Sequence, residues 1–104
     1  MTENYPVLRS GDSTQGAYTI NLEDADRPAQ LTWLARGTAR VANHTYVPPE
    51  ARGLGLAAKL VEALVDDARS EGFSIHPSCS YVDALFRRHP EWNDVRAKDW
   101  RKGS

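Results

Sequence analysis

Gly53 and Gly55 stand directly after a β-rich run broken by Pro48 and Pro49, and directly before a strongly apolar helical pattern. That order of residue types makes an anion site. Glycine has no Cβ, so a bound group can approach the backbone closely. The first N–H groups of a helix have no carbonyl partner and lie at the positive end of its dipole. A diphosphate is a natural occupant. The segment has no Gly-Lys-Ser/Thr ending, so it is not a nucleoside-triphosphate loop, and Ala58 stands where the dinucleotide fingerprint has its third glycine. A turn whose glycines serve only helix packing would give the same pattern, and that reading stays open here.

Two further residue types could do acid, base or nucleophilic work. Cys79 lies between a short apolar run and a second helical pattern, with Pro77 two places before it. A thiolate at such a place is a nucleophile, although free cysteine is also a common core residue. His44 lies in a strand-like run, where alternation sets it on the face opposite Asn43 and Thr45. A neutral imidazole there could take a proton from an attacking amine or from Cys79, or simply be a satisfied strand histidine.

These groups need a frame, and hydrophobic periodicity supplies one. Residues 16–22 alternate with Tyr18, Ile20 and Leu22 on one face. Residues 29–35 place Leu31 and Trp33 on one face and Thr32 and Leu34 on the other, and 39–47 read as a third strand. Arg36-Gly37-Thr38 is a tight turn and 23–28 a polar one, so the three strands form an antiparallel meander. The period then changes. Residues 56–69 carry Leu56, Ala57, Leu60, Val61, Leu64, Val65 and Ala68 along one stripe, with Lys59, Glu62, Asp66 and Asp67 opposite. Gly72 is a helix stop. Residues 73–77 read as a short strand reached by a right-handed crossover, parallel to the third strand. Residues 80–88 read as a second helix with Val82, Leu85 and Phe86 inward. Before all this, residues 1–14 read as loose with a short edge strand at 6–9. After it, the charged tail reads as one more helical turn anchored by Trp92 or Trp100. The class is therefore α/β, with a mixed sheet.

Composition bounds the function. The chain has 104 residues, of which 40% are hydrophobic and 26% charged, enough for one core and one domain spanning 1–104. Thirteen Lys and Arg against fourteen Asp and Glu leave a net charge of −1, which argues against a nucleic-acid binder driven by bulk electrostatics. A single cysteine forms no internal disulfide, and the three histidines fall at no metal-ligand spacing, so no metal is expected. No run reaches bilayer-spanning length and the first residues do not form a signal peptide, so the expected place is the cytosol, away from membranes. An exposed edge strand could pair two copies, which leaves monomer or weak homodimer.

The run from His44 to Leu60, His-Thr-Tyr-Val-Pro-Pro-Glu-Ala-Arg-Gly-Leu-Gly-Leu-Ala-Ala-Lys-Leu, resembles the acetyl-CoA loop of the GCN5-related N-acetyltransferases. A second block, from Ala68 to Val82 and then Phe86-Arg-Arg-His-Pro-Glu-Trp92, resembles their small single-domain, YjdJ-type branch. The likeness is strongest over 16–92. One position departs from the wider superfamily, which has Gln or Arg where this chain has Glu50.

The resemblance implies a truncated GNAT-like fold with a splayed strand pair, between the strand ending at Val47 and the one at 73–77. It implies an acetyltransferase that takes acetyl-CoA as cosubstrate and passes the acetyl group to an amine, either a small molecule or a protein tail. The backbone of Arg52, Gly53, Leu54, Gly55, Leu56 and Ala57 would cradle the coenzyme A diphosphate, with the pantetheine arm beside Tyr46 and Val47. Cys79 would carry or accept the acyl group, and Tyr81 would protonate the leaving thiolate. The helices that build the superfamily's acceptor pocket are missing between the first two strands. That absence also suits a second reading, a non-catalytic module that binds coenzyme A or acyl-CoA, or simply docks on a partner.

Overall fold

A computed structural model describes residues 5–23 and 25–97. Five strands form one sheet in the order β1-β2-β3-β4-β5: Leu8–Gly11, Gln15–Ile20, Ala29–Arg36, Ala39–Tyr46 and Ser74–Pro77. The first four are antiparallel neighbours, and β5 runs parallel to β4. Helix α1 (Leu56–Glu71) makes the crossover, and α2 (Ser80–Arg88) follows β5. No helix among the described residues is long and apolar enough to cross a membrane.

The alternation read from the sequence places the core. Tyr18, Ile20, Ala29, Leu31, Trp33 and Ala42 share one face and are buried. Against them lie Leu56, Leu60, Val61, Leu64, Val65 and Ala68 of α1 and Val82, Leu85 and Phe86 of α2, in one cluster. Both helices cover this face because successive right-handed crossovers that advance in one direction stay on one side. The other face carries Thr19, Gln30, Thr32, Leu34, Val41 and His44, all half-buried or exposed.

Element ends differ from expectation in instructive ways. The edge strand lies at Leu8–Gly11 rather than 6–9. Asp12 Oδ1 accepts the N–H groups of Thr14 and Gln15 at 2.8 and 3.1 Å, and this Asx turn sets the hairpin register, which a hydrophobic pattern does not show. Helix α1 runs two residues further than expected, to Glu71, and stops at Gly72 in the left-handed region at φ 85°. Asp67 does not face outward. Its carboxylate accepts the Tyr18 hydroxyl at 2.7 Å and pairs with Arg9 at 2.8 Å. Burial opposes its ionisation, but the bonds from Arg9 and Tyr18 outweigh that and hold its pKa below the ordinary carboxylate range.

Between α2 and residue 97 the chain forms two pieces. Pro90–Trp92 is a short 3₁₀ turn, where the Trp92 ring stacks on His89 and meets Phe86 edge-on. The chain then runs alongside β5: Ile75 donates to Val95 at 2.8 Å and Ala97 donates to Ile75 at 2.9 Å, a parallel bridge that covers the sheet edge. Arg69 fixes this segment through Asp94 at 2.9 Å and the Glu91 carbonyl at 2.8 Å. Trp100 lies outside the described residues.

Gly16 faces Trp33 across β2 and β3, and a Cβ there would lie 2.6 Å from the indole and 2.5 Å from the Ser10 carbonyl. Gly16→Ala should therefore lower the unfolding free energy by about 1–3 kcal/mol in urea denaturation, the usual cost of overpacking. A change within about 0.5 kcal/mol would show that the indole has room to move. Stability should also carry an acid limb from Asp67. Its lowered pKa makes the Asp67 contribution complete above the ordinary aspartate value near 4, and lost as pH falls below it. Asp67→Asn should flatten that limb in denaturation curves measured between about pH 5 and pH 2.

Candidate active site

The parallel pairing of β4 and β5 runs only from Ala39↔Ser74 to Ala42↔Pro77. Pro77 has no N–H to continue the ladder. Ser78 donates to the His76 carbonyl at 2.9 Å, a three-residue turn centred on Pro77 that takes the chain off the sheet. On the other side β4 bulges. Trp33 pairs with Ala42, but Thr32 pairs with His44, so Asn43 is the extra residue. The Cys79 N–H donates to the Ala42 carbonyl at 2.8 Å and closes the apex of the resulting gap. The two strands part there, as the resemblance implied. The carboxyl ends of both strands and the N-termini of both helices meet at this opening, the usual place for a ligand on parallel strands.

The glycine turn forms one rim. After Val47, which is buried, Pro49–Ala51 makes a single 3₁₀ turn. Gly53 and Gly55 then adopt φ values of 96° and 73°, which other residues reach only with strain. A Cβ on either would meet no atom within 4 Å, so both glycines face open space and are not packing devices. Gly55 caps α1 without any side-chain bond to the first turn. The N–H groups of Gly53, Gly55, Leu56 and Ala57 donate to no group among the described residues.

The six-residue cradle expected from Arg52 to Ala57 is thus reduced to four amides. Arg52 N–H bonds to the Pro49 carbonyl and Leu54 N–H to the Ala51 carbonyl, both at 3.3 Å, because the 3₁₀ turn turns their amides inward. The Arg52 side chain folds back, its Nε donating to the Val47 carbonyl at 3.3 Å. The Leu54 side chain is exposed on the rim. The Tyr46 ring lies on the face away from the helices, where the Arg27 guanidinium sits 4.1 Å above it.

Cys79 and Tyr81 form the other rim. Cys79 caps α2, is half-buried, and points its Sγ to Thr45 Oγ1 at 3.7 Å. Tyr81, in the first turn of α2, is exposed beside it. Thr45 pairs with the fully buried Leu31 and so lies on the helix-covered face. His44 pairs with Thr32 on the opposite face. The structure therefore brings Cys79 to Thr45 and not to His44, and a direct proton transfer between Cys79 and His44 has no geometric basis.

The alternation that should separate His44 from Asn43 is also broken, because the bulge lets Asn43 Oδ1 reach the Thr32 hydroxyl at 2.7 Å on the side where His44 lies. Thr32, Asn43 and Thr45 are not among the site residues expected from the sequence. The one available signal was Asn43 itself, a poor strand former in the middle of a strand. Among the described residues, no group of three or more His, Cys, Asp or Glu is placed to hold a metal ion.

A strand pair that parts beside a glycine turn is the arrangement that the resemblance implied, and comparison with known proteins shows the family. A family profile for the GCN5-related N-acetyltransferases matches residues 17–95. The chain belongs to that family. Protein NATD1 of Gallus gallus is 26% identical over 91 residues, covering 86% of this chain and 83% of that one. NATD1 of Bos taurus is 28% identical over 86 residues, 82% of this chain and 76% of the relative. NATD1 of Homo sapiens is 26% identical over 91 residues, 86% and 80% of the two chains. The fold is shared with a GCN5-like protein from Staphylococcus aureus solved by NMR: the TM-score is 0.65 at 21% identity, over 92% of this chain and 91% of that one. This GNAT-like fold is a five-stranded mixed sheet whose two helices, among the described residues, share one face.

Gly55→Ala tests the glycine rim. The added Cβ meets no protein atom, so the stability cost should be about 1–2 kcal/mol, that of the left-handed backbone alone. Affinity for coenzyme A should fall by roughly tenfold or more in calorimetry, because the methyl stands where the ligand must approach. Unchanged affinity would place the ligand elsewhere.

Proposed function

We infer that this protein transfers the acetyl group of acetyl-CoA to an amine. The observation that carries the reading is the set of four undonated N–H groups, on Gly53, Gly55, Leu56 and Ala57, at the positive end of α1 beside the gap between β4 and β5. These amides suit the diphosphate, whose two negative charges find fixed donors and a helix dipole with no side-chain cap to displace. The free edge of β4 from Asn43 to Tyr46 lies next to that loop and suits the amide-bearing arm of the cosubstrate, as an added strand would.

In the direct route, the neutral amine attacks the thioester carbonyl and the carbon–sulfur bond breaks. The amine nitrogen gives up one proton, and the departing thiolate takes one up. Orientation in the gap supplies most of the acceleration, since both reactants are held at one apex. Tyr81, exposed beside that apex, is the proposed donor to the thiolate, and His44 the proposed acceptor from the amine on the uncovered side, each through solvent or directly.

A second route has a specific observation in its favour, since Cys79 is held at the apex by its bond to Ala42. There the Cys79 sulfur attacks first, coenzyme A leaves as thiol, and the amine then attacks the acetylated cysteine and restores the thiol.

Titration calorimetry with acetyl-CoA, followed by mass spectrometry of intact protein with and without an amine panel, tests the whole reading. The direct route predicts binding, acetylated amine, no acetyl-protein, and a Cys79→Ala variant within about threefold of the parent in kcat/KM. Acetyl-Cys79 that decays on adding amine would establish the second route instead. Binding without any amine product would leave a non-catalytic coenzyme A module, and absence of binding would remove both.

A further inference from the structure

The face of the sheet that neither helix covers is not featureless. A shallow cavity of about 410 Å³ crosses it, from the bulge in β4 to the β1–β2 hairpin. Its inner end is the Thr32–Asn43 pair, which stands at the point where β4 and β5 part. Its middle is apolar: Leu34 is 44% exposed there, with Ala17 beside it on the same face. Its outer end is Asp12.

Among the described residues that line the cavity, Asp12 is the only charged one. Its Oδ1 is fixed by the Thr14 hydroxyl at 2.7 Å and by the Thr14 and Gln15 N–H groups. Oδ2 has no partner among the described residues. The Thr14 hydroxyl and then the backbone donors hold this carboxylate below its ordinary pKa, so it stays an anion at neutral pH. From the Asn43 strand to the hairpin the groove crosses two to three strand spacings, roughly 10–14 Å. A polar end at the reaction apex, an apolar middle and one anion at the far end complement an alkyl chain with a cation at its distal end.

Resting on the transferase reading above, the geometry points to this cavity as the acceptor groove and to an aliphatic diamine or longer polyamine as the acceptor. One amine lies at Asn43 and reacts. The second, protonated, sits on Asp12.

The test uses a matched pair of probes, diaminooctane and octylamine, which differ only in the second ammonium. They are titrated into isotope-labelled, coenzyme A-loaded protein and followed by NMR. Diaminooctane should shift Asp12, Thr32 and Asn43 and bind about tenfold tighter than octylamine, an advantage that added salt erodes. Asp12→Asn keeps an oxygen for the turn and removes the charge, so it should bring the two probes together without unfolding the hairpin. Equal binding of the probes, shifts on another surface, or equal weakening of both probes by Asp12→Asn would overturn the groove. Diamine binding as described with no acetyl transfer would leave the groove standing and remove the transferase reading. Acetyl transfer to a lysine peptide in preference to the diamine would do the reverse.

Discussion

Two parallel strands that stop pairing halfway govern this molecule. A β-ladder normally continues until one strand ends, because each unpaired backbone group near the interior is costly. Here the ladder between β4 and β5 is interrupted from both sides. Pro77 has no donor, and Asn43 is an inserted residue that shifts the register of β4. The apex still needs closing, and the Cys79 N–H does so on the Ala42 carbonyl. What remains is a gap whose walls are backbone, a surface that can bind an extended amide-bearing chain without specialised side chains.

The charge pattern around the gap follows from connectivity. A parallel strand reached through a helix forces the helix to start where the first strand ends, so α1 begins at the mouth of the gap, and α2 begins there for the same reason. Neither N-terminus has a side-chain cap. Two positive dipole ends and four undonated amides thus collect at one place in a chain whose net charge is −1. The positive potential at that place comes from geometry rather than from composition.

The far end of the sheet is held by contacts of another kind. The Arg40 guanidinium lies between Trp33 and Phe73, 3.9 and 4.0 Å from the two rings. Tyr18, Asp67 and Arg9 form a connected set nearby. The segment beyond α2 is held to Asp83, 1% exposed, through Arg96 at 3.2 Å, while Arg87 pairs with the same carboxylate within α2 at 3.1 Å. These contacts fix the frame away from the gap. Among the described residues both helices lie on one side, which leaves the opposite face to carry the shallow cavity.

Periodicity and punctuation determined most of what was legible. The apolar positions of β2, β3 and α1 had one arrangement that buried them together, and Gly72 marked the end of α1 within a residue or so of where the left-handed cap stands. The loop glycines named an anion site because no other residue tolerates that backbone so freely. Whether their amides were available, and how many, depended on a 3₁₀ turn that draws two of them inward, and no sequence pattern encodes that choice. The side of the sheet on which His44 and Thr45 fall depended on a single inserted residue. Alternation has period two, so one bulge inverts every assignment beyond it. Sequence therefore settled the residue types on hand and most of the elements that carry them. Tertiary structure alone decided which of them meet, because that rests on strand register and on long-range hydrogen bonds between residues far apart in the chain.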